Sequence, residues 1–396
     1  MTNIDKQVQK IIRNTVDAIE VAELHSRLKQ KKQLVVKFGA DPTASDLHFG
    51  HAVVLRKLRE FQDFGHKVIF VIGDFTARIG DPSGRSELRP QLSENEINKN
   101  AETYQQQAFK ILDAEKTEVV FNSSWLGCLT TEELMKLASH YTVARMLERD
   151  DFQLRLHKGD PISMQEFIYP LLQAYDSIYL KADVEVGGAD QKFNLLVGHD
   201  IQRSYGQPGQ IVITVPLLEG TDGIKKMSKS YGNYIGLTEP PDKMFGKIMG
   251  INDELMYRYY ELLTGHDIET IKSISPMEAK LRLASELTNT YSGDEQGNVA
   301  RQKFEEVFSK RKFPDDAPVI ELTPAYFTIV ELLTQNRIID SKSEAKRLVK
   351  SGAVSIDGNK IVSATEKVKL QEGVHFLRSG RRGFYRLIVK SGVSIK

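Results

Sequence analysis

The chain has 396 residues, 40% of them hydrophobic and 27% charged, which is ordinary for a globular protein and excludes a fibrous or low-complexity one. Its length predicts two or three domains. A single cysteine, Cys128, excludes a disulfide framework and a zinc site built on cysteines. The apolar runs are too short to cross a membrane and the N-terminus lacks a secretory pattern, so we expect a soluble protein of a reducing cytosol.

The net charge of +1 conceals an asymmetry along the chain. Residues 337–396 carry 14 Lys and Arg against 5 Asp and Glu, a net charge of +9, which leaves −8 for the other residues. This basic module predicts a polyanionic partner such as RNA, although a solvated lysine-rich surface is the alternative.

The first elements form a strand–helix–strand unit. Residues 33–38 (QLVVKF) predict a strand, residues 47–64 a helix with Asp46 as its N-cap and Gly65 as its stop, and residues 67–73 a second strand. Such a βαβ unit implies a parallel sheet. Further strands are predicted at 118–121, 184–186 and 210–215. We therefore expect a doubly wound α/β domain over residues 1–235, which binds its ligands at the carboxyl ends of the strands.

Two more modules follow this domain. The strand signal stops after Pro240-Pro241, and residues 236–325 predict a helical domain, with a linker at 312–324. Residues 336–396 predict a small α+β module with a helix at 341–352 and a hairpin that turns at Asp357-Gly358.

Two histidines and a glycine occupy the first turn of the helix at 47–64. His48 and His51 could ligate a metal, but no third ligand lies nearby in the sequence. They could be structural, or they could face a phosphate, because a helix N-terminus offers free N–H groups and the positive end of a dipole. Gly50 would let a flat ligand approach the backbone. We favour the phosphate interpretation, although the GxxxxGK[ST] and GxGxxG motifs are absent.

A second stretch, GTDGIKKMSKSYGN (220–233), places Lys226 and Lys229 between glycines. Alone, a lysine-rich loop is usually solvated surface. Combined with HFGH (48–51) in the same α/β domain, it favours a mobile loop that closes on a polyphosphate.

These stretches carry a family resemblance. HFGH resembles the HIGH signature and KMSKS (226–230) the second signature of class I aminoacyl-tRNA synthetases. FGADPTASDLHFGH, GDPSG (80–84), YPLLQAYD (169–176) and GGADQ (187–191) together resemble bacterial tyrosyl-tRNA synthetases. SKSEAKRLVKSGAVSIDGNKI (341–361) resembles the RNA-binding domain shared with ribosomal protein S-four.

The resemblance implies a Rossmann-like catalytic domain and a tyrosine–tRNA ligase activity. ATP and L-tyrosine would form tyrosyl-adenylate, and the tyrosyl group would then pass to tRNA(Tyr). Mg²⁺ would accompany ATP without a metal site built by the protein itself. The resemblance also implies a cytoplasmic homodimer whose interface lies at about residues 122–165.

The resemblance also implies roles for individual residues. Its catalytic set is Thr43, His48, His51, Lys226 and Lys229. Its ATP-binding set consists of Asp41, Gly50, His48, His51, Met227, Ser228, Lys229 and Ser230. A protein nucleophile is unnecessary, because the substrate carboxylate attacks the α-phosphate and the enzyme acts by positioning and charge stabilisation.

The amino-acid pocket is predicted on a helix that begins with a capping box, Ser163 and Glu166. Tyr169, Gln173 and Asp176 then share one face, which without the resemblance would be an ordinary polar stripe. The resemblance makes Tyr169 and Gln173 contacts of the substrate's α-amino group and backbone, and Asp176 the acceptor of the phenol. The pocket set also contains Asp81, Asp190 and Gln191.

Lys37 is a departure from the best-known branch of the family, which carries a tyrosine there that contacts the phenol. The sequence resembles a second bacterial branch with lysine at this position. We place Lys37 in the tyrosine-binding set with the hypothesis that it pairs with Asp176 or another acid of the pocket.

Basic residues of the C-terminal module are suited to the phosphates of folded RNA. The predicted tRNA-binding set is Lys342, Lys346, Arg347, Lys350, Arg381 and Arg382.

Three other functions compete with this interpretation. A tryptophan–tRNA ligase shares the fold, but Asp176 and the C-terminal module argue against it. A non-catalytic RNA-binding protein on a synthetase scaffold has no need for both HFGH and KMSKS. An adenylate-forming nucleotidyltransferase has no need for the basic module.

Overall fold

The structure is a computed structural model that describes residues 3–30, 33–81, 93–308, 317–322, 327–365, 367–368, 370–380 and 383–389. It divides into two compact units, Met1–Arg301 and Gln302–Lys396. The helices at 241–292 fall inside the first unit, and the predicted division into three domains stays a prediction. None of the helices in the described ranges combines the length and the apolar composition that a membrane span requires.

The strands of the first unit are β1 Asp17–Ile19, β2 Val35–Ala40, β3 Lys67–Ile72, β4 Thr117–Phe121, β5 Val184–Gly188 and β6 Ile211–Val215. Its helices are α1 Asn3–Ile12, α2 Val21–Gln30, α3 Phe49–Asp63, α4 Thr76–Ile79, α5 Glu94–Ala108, α6 Ser123–Leu126, α7 Thr131–Ser139, α8 Val143–Met146, α9 Asp150–Lys158, α10 Met164–Leu180, α11 Lys192–Ser204, α12 Pro241–Met249, α13 Asp253–Leu263, α14 Ile268–Lys272, α15 Pro276–Ser292 and α16 Gln296–Phe308, the last of which continues past Arg301.

The six strands form one sheet in the order β1-β6-β5-β2-β3-β4. All five predicted strands are present and parallel, and β1 adds an antiparallel edge. From β2 the chain proceeds to β3 and β4 on one side, then returns to build β5 and β6 on the other. The crevice between β2 and β5 is therefore the topological switch point, where doubly wound sheets bind their ligands.

Helix α3 begins later than predicted. Its N-cap is His48 and not Asp46, and His48 has extended backbone angles, φ −135° and ψ 174°. The cause lies far away in the sequence: the Leu237 N–H donates to the Leu47 carbonyl, and the Phe49 N–H donates to the Ile235 carbonyl. These bonds hold the chain extended through residue 48. The predicted stop is correct, since the helix ends at Asp63, two residues before Gly65 with its positive φ of 84°.

The helices after Pro240 pack against α3. The Phe49 ring lies 6.2 Å from the ring of Tyr259 on α13 and 5.3 Å from that of Tyr291 on α15. All three side chains are buried. The first turn of α3 therefore packs against α13 and α15 as well as against the sheet.

The second unit contains β7 Val319–Leu322, β8 Phe327–Thr328, α17 Ile329–Gln335, α18 Lys342–Lys350, β9 Val354–Ile356, β10 Asn359–Ile361, β11 Lys367–Val368, β12 Gly373–Ser379 and β13 Gly383–Val389. Five strands form a sheet in the order β10-β9-β12-β13-β7, and β11 pairs with β8. The predicted hairpin is correct, because Asp357 and Gly358 both have positive φ, 51° and 81°, as a two-residue turn of type I′ requires.

The predicted linker at 312–324 is wrong for residues 319–322, which form β7 parallel to β13. Leu322 and residues of α17 belong to the same hydrophobic core as Ala345 and Val349 of α18. The predicted start of this module at residue 336 therefore lies inside its core. Proline and acidic residues predicted a linker, whereas pairing with a strand more than 60 residues away decided the conformation.

Leu322→Ala should lower the free energy of unfolding of the second unit by about 2–5 kcal/mol, the usual cost of truncating a buried leucine. The matched control is Val319→Ala on the same strand, whose side chain is 53% exposed. It should change stability by less than about 1 kcal/mol. Urea denaturation of the full chain measures both, and equal losses would mean that the two side chains do not differ in burial.

Candidate active site

A cavity of about 670 Å³ lies at the carboxyl ends of β2 and β5. Its walls include most of the predicted site residues, namely Asp41, Thr43, His48, Gly50, His51, Asp81, Tyr169, Gln173, Asp176, Asp190, Gln191, Lys226, Met227, Ser228 and Ser230. Two predicted residues of the same site, Lys37 and Lys229, do not line it. The residues come from opposite halves of the sheet, so they meet only at the switch point.

The two histidines form a reciprocal cap at the start of α3. The Gly50 N–H donates to His48 Nδ1 at 3.1 Å, and the His48 N–H donates to His51 Nδ1 at 3.2 Å. Since each Nδ1 is an acceptor, each neutral ring carries its proton on Nε2. Burial, the neighbouring imidazole and Lys229 lower the pKa of His48 to about 2, and burial with Lys229 lowers the pKa of His51 to about 4. Both rings are therefore neutral N–H donors.

Gly50 leaves room for the His48 ring. A Cβ at this position would lie 2.9 Å from His48 Cε1, closer than real Cβ contacts, and 3.9 Å from the Cβ of Met227. Any side chain would displace the imidazole from its cap. The same distances show that the KMSKS loop lies against the first turn of α3.

Asn233 organises the KMSKS loop from within. Its Oδ1 accepts from the Ser228 N–H at 2.8 Å, and its Nδ2 donates to Asp222 Oδ2 at 2.9 Å and to the Lys226 carbonyl at 3.2 Å. A Cβ on Gly220 would lie 2.2 Å from the Asn233 amide, so only glycine fits there. The loop conformation thus depends on one buried amide.

The two signature lysines face carboxylates. Lys226 Nζ lies 3.0 Å from Asp190 Oδ2, and Lys229 Nζ lies 3.5 Å from Asp46 Oδ2. Partial burial lowers the pKa of Lys229 despite the attraction of Asp46. Both pairs are exposed enough to exchange one anion for another, which a loop that binds polyphosphate requires.

Tyr169 and Asp41 form one wall of the cavity. The Tyr169 hydroxyl donates to Asp41 Oδ2 at 2.9 Å, and the Thr76 hydroxyl donates to Asp41 Oδ1 at 2.7 Å. Burial and the neighbouring Asp41 raise the pKa of Tyr169, so its hydroxyl keeps its proton. A Cβ on Gly73 would lie 2.1 Å from Asp41 Oδ1, so glycine is required to admit the carboxylate.

Asp176 is a buried acid held by two donors. Trp125 Nε1 donates to its Oδ1 at 2.8 Å, and Asn122 Nδ2 lies 3.4 Å from its Oδ2. Burial raises the pKa of Asp176 to about 6, against the opposing effects of Lys37 and the two donors. The carboxylate is ionised at neutral pH and can accept one more hydrogen bond from a ligand in the cavity.

Lys37 lies behind the wall of the cavity. Its ammonium is fully buried and lies 3.0 Å from Glu185 Oε1. The hypothesis of a pair with a pocket acid is correct for Glu185, which lines the cavity, and not for Asp176. On the other side, Gln191 Nε2 donates to Asp81 Oδ2 at 3.0 Å, which joins two predicted pocket residues. The remainder of GDPSG, residues 82–84, lies outside the described residues.

Comparisons with known proteins decide the family. The family described as tRNA synthetases class I (W and Y) matches residues 29–309, and the Tyrosine–tRNA ligase SYY-like C-terminal domain matches residues 309–387. The chain is 53% identical to the tyrosine–tRNA ligase of Thermotoga maritima, with 97% of both chains covered. It is 50% identical to that of Aquifex aeolicus, with 97% of this chain and 99% of the relative covered.

The chain belongs to the tyrosyl-tRNA synthetases. Solved structures agree on the fold, among them a truncated mitochondrial tyrosyl-tRNA synthetase of Aspergillus nidulans, with a TM-score of 0.66, 22% identity and coverage of 78% of this chain and 95% of that one. The tyrosyl-tRNA synthetase of Archaeoglobus fulgidus, complexed with L-tyrosine, has a TM-score of 0.62, 22% identity and coverage of 76% and 100%.

Family membership confirms the predicted class I fold and the tyrosine–tRNA ligase activity, and it does not favour the tryptophan enzyme or the non-catalytic alternative. ATP is a substrate of this family. Within the described ranges, no three His, Cys, Asp or Glu side chains lie close enough to hold a metal ion.

Sequence reasoning missed the residues that support the site. Asn122 follows β4 directly, and the rule that ligands bind beyond strand ends was a usable signal for it. Glu185 is a charged residue inside an otherwise apolar strand, and such a residue is a second usable signal of a buried functional group. Trp125 and Asn233 gave no local signal, because their roles depend on Asp176 and on the KMSKS loop.

The predicted basic face of the second unit is present on α18. Lys342, Lys346, Arg347 and Lys350 are all exposed, whereas Ala345 and Val349 are buried on the opposite side. Arg381 and Arg382 lie outside the described residues.

His48 and His51 should both remain neutral from pH 8 down to about pH 5, because burial penalises the imidazolium. Their ¹³Cε1 resonances, assigned with His48→Gln and His51→Gln, should not move over this range in NMR titrations. His375 is the internal control, and its resonance should move during the titration. Partial burial lowers the pKa of His375, but its hydrogen bond to Asp357 raises the pKa by more, to above the usual value. Titration of His48 or His51 near pH 6.5 would contradict the buried cap.

Proposed function

We propose that the cavity binds L-tyrosine and ATP together and that its residues act as the sequence analysis expects. The observation that carries this proposal is the meeting, in one cavity, of two neutral imidazole donors, the KMSKS loop and the buried acceptor Asp176. A carboxylate oxygen of tyrosine attacks the α-phosphorus, the bond to the bridging oxygen of pyrophosphate breaks, and tyrosyl-adenylate forms. The tyrosyl group then passes to tRNA(Tyr).

In this proposal the imidazoles stabilise the reacting phosphates. The Nε2–H groups of His48 and His51 donate to phosphate oxygens, because each Nδ1 accepts a backbone N–H and leaves the ring proton on Nε2. Lys226 and Lys229 leave Asp190 and Asp46 to neutralise the departing pyrophosphate. The Thr43 hydroxyl contacts the phosphates from the loop before α3.

Other residues of the cavity wall hold the nucleotide. Gly50 lines the cavity beside the His48 ring and contacts the ATP with its backbone, and Asp41 lies beside the phosphates. The KMSKS backbone contributes Met227, Ser228 and Ser230. Mg²⁺ that enters with ATP would supply positive charge to the phosphates, whose oxygens suit this hard cation. Asp41 and Asp190 are the nearby carboxylates that would bind the ion together with the phosphate oxygens.

The tyrosine pocket has a polar contact at each end. Asp176 accepts the phenol O–H, and an analogue without this hydroxyl leaves the buried carboxylate unpaired, which is why phenylalanine is rejected. The ammonium group is bound by Tyr169, Gln173 and Asp81, with Asp190 and Gln191 beside them. The Tyr169 hydroxyl donates a hydrogen bond to Asp41, so its oxygen lone pairs remain available to the ammonium group.

The exposed basic face of α18 is proposed to bind phosphates of tRNA(Tyr), together with Arg381 and Arg382. Apolar exposure at residues 122–165 supports a homodimer with its interface there. Five large apolar side chains of this segment are more than half exposed, namely Met135, Val143, Leu154, Leu156 and Met164. Sedimentation should give twice the mass of one chain. We also propose a cytoplasmic location.

ATP–pyrophosphate exchange with tyrosine, phenylalanine or tryptophan tests the proposed reaction. Exchange should occur with tyrosine alone, and kcat/KM for tyrosine should fall as the pH drops through about 6, because protonation of Asp176 removes the acceptor. Asp176→Asn should weaken tyrosine use by about 1.5–3 kcal/mol, the value of a hydrogen bond to a charged group. The variant should also lose the decrease of kcat/KM near pH 6, because asparagine does not titrate. Exchange with tryptophan would contradict the proposed selection of tyrosine by Asp176.

Replacement of Lys342, Lys346, Arg347 and Lys350 by alanine should raise the KM for tRNA(Tyr) at least tenfold at about 0.15 M salt, because counterion release at each phosphate contact is lost. The salt dependence of log KM should flatten. Tyrosine-dependent exchange is the internal control and should be unchanged. Unaltered charging of tRNA would show that α18 does not contact it.

A further inference from the structure

Glu185 and Lys37 form a buried ion pair directly beneath the amino-acid pocket. They are register partners on the neighbouring parallel strands β5 and β2, at the switch point of the sheet. Lys37 Nζ lies 3.0 Å from Glu185 Oε1, and the two side chains are 0% and 1% exposed. Burial of two charges is costly, and such pairs add little stability compared with apolar residues of the same volume.

Every oxygen of the Glu185 carboxylate is engaged by a donor. Oε1 accepts from Lys37 and, at 3.1 Å, from Nε2 of Gln173. Oε2 accepts from the Ser177 hydroxyl at 3.3 Å and from Nε2 of Gln210. Lys37 in turn donates to the Gln173 carbonyl at 3.0 Å and to the Ser177 hydroxyl at 2.6 Å. The network therefore joins both strands to the pocket face of α10.

This network determines which end of the Gln173 amide faces the cavity. An ionised carboxylate can only accept hydrogen bonds, so Gln173 must turn its NH₂ group toward Glu185. The amide oxygen is then the atom available to a ligand, and an oxygen is what a substrate ammonium group needs. A reversed amide would present its N–H groups to the ammonium and repel it.

We infer that Glu185, paired with Lys37, is a positioning residue that orients Gln173 to accept a hydrogen bond from the α-ammonium of tyrosine. The inference rests on the proposed role of Gln173 in the tyrosine pocket. It gives Lys37 a function without any contact to the phenol. Glu185 reaches the substrate through Gln173.

The double variant Lys37→Met/Glu185→Gln tests this orientation without leaving a buried charge. Ser177 and Gln210 both donate to the Oε2 position, so the oxygen of the amide introduced at residue 185 will lie there and its NH₂ group will face Gln173. Gln173 must then reverse its own amide. Lys37 lowers the pKa of Asp176 more than Glu185 raises it, so their joint removal raises this pKa, while Trp125 and Asn122 are unchanged. Binding is therefore measured at about pH 8, which favours the ionised acid.

Two ligands separate an orientation effect from a damaged pocket. L-tyrosine carries the ammonium group, and 3-(4-hydroxyphenyl)propionate is the same molecule without it. Calorimetry should show that the double variant binds tyrosine at least tenfold more weakly than the original chain, the cost of one charge-assisted hydrogen bond. Its affinity for the propionate should stay within twofold.

The matched control is Ser177→Ala, which removes two hydrogen bonds from the same network, one to Lys37 and one to Glu185, but none from the Gln173 side chain. It should leave the affinity for both ligands within twofold. Circular dichroism establishes folding, and Lys37→Leu/Glu185→Gln serves in place of the methionine variant if that one does not fold.

Equal weakening of both ligands would overturn the inference, because it would assign Glu185 a purely structural role. Unchanged affinity for tyrosine in a folded double variant would overturn it as well. Failure of the proposed function is recognised separately, since the original chain would then fail to bind tyrosine or to support exchange with it.

Discussion

The divergence of the chain on either side of β2 and β5 is the constraint on which the site depends. Parallel strands end at the same edge, and here the connections leave that edge in opposite directions, so a crevice opens between them. The turn after β2 supplies the histidine cap, and the turn after β5 supplies Asp190 and Gln191. The KMSKS loop, which follows β6, closes the third side, where it contacts the first turn of α3.

Removal of water sets the protonation of the groups in this crevice. Burial keeps His48 and His51 neutral, raises the pKa of Asp176 to about 6 and keeps the Tyr169 hydroxyl protonated. One physical cause thus produces neutral donors at the phosphate end and a poised acceptor at the phenol end. The pair of Lys37 and Glu185 differs, because two buried groups of opposite charge lie 3.0 Å apart there and each offsets part of the other's cost of burial.

Much of the site was predictable from short stretches, because their signals are local. The capping box of Ser163 and Glu166 correctly marked the start of α10, and the spacing of Tyr169, Gln173 and Asp176 correctly placed them on one face. The turn at Asp357-Gly358 was equally explicit. Local signals failed at Asp46, which was displaced as N-cap by hydrogen bonds to residues 235 and 237, and at residues 319–322, where a distant strand imposed pairing.

The sequence by itself determined the five parallel strands, the order of the motifs and, through the resemblance of those motifs to known signatures, the family, because all these signals lie in residues only a few positions apart. Only the tertiary structure decided the partners of the buried charges. Lys37 meets Glu185, and Asp176 meets Trp125 and Asn122, across separations of about 50 to 150 residues that no local pattern encodes. Desolvation acts on whatever the fold brings together, so the electrostatics of the pocket exist only after the sheet has assembled.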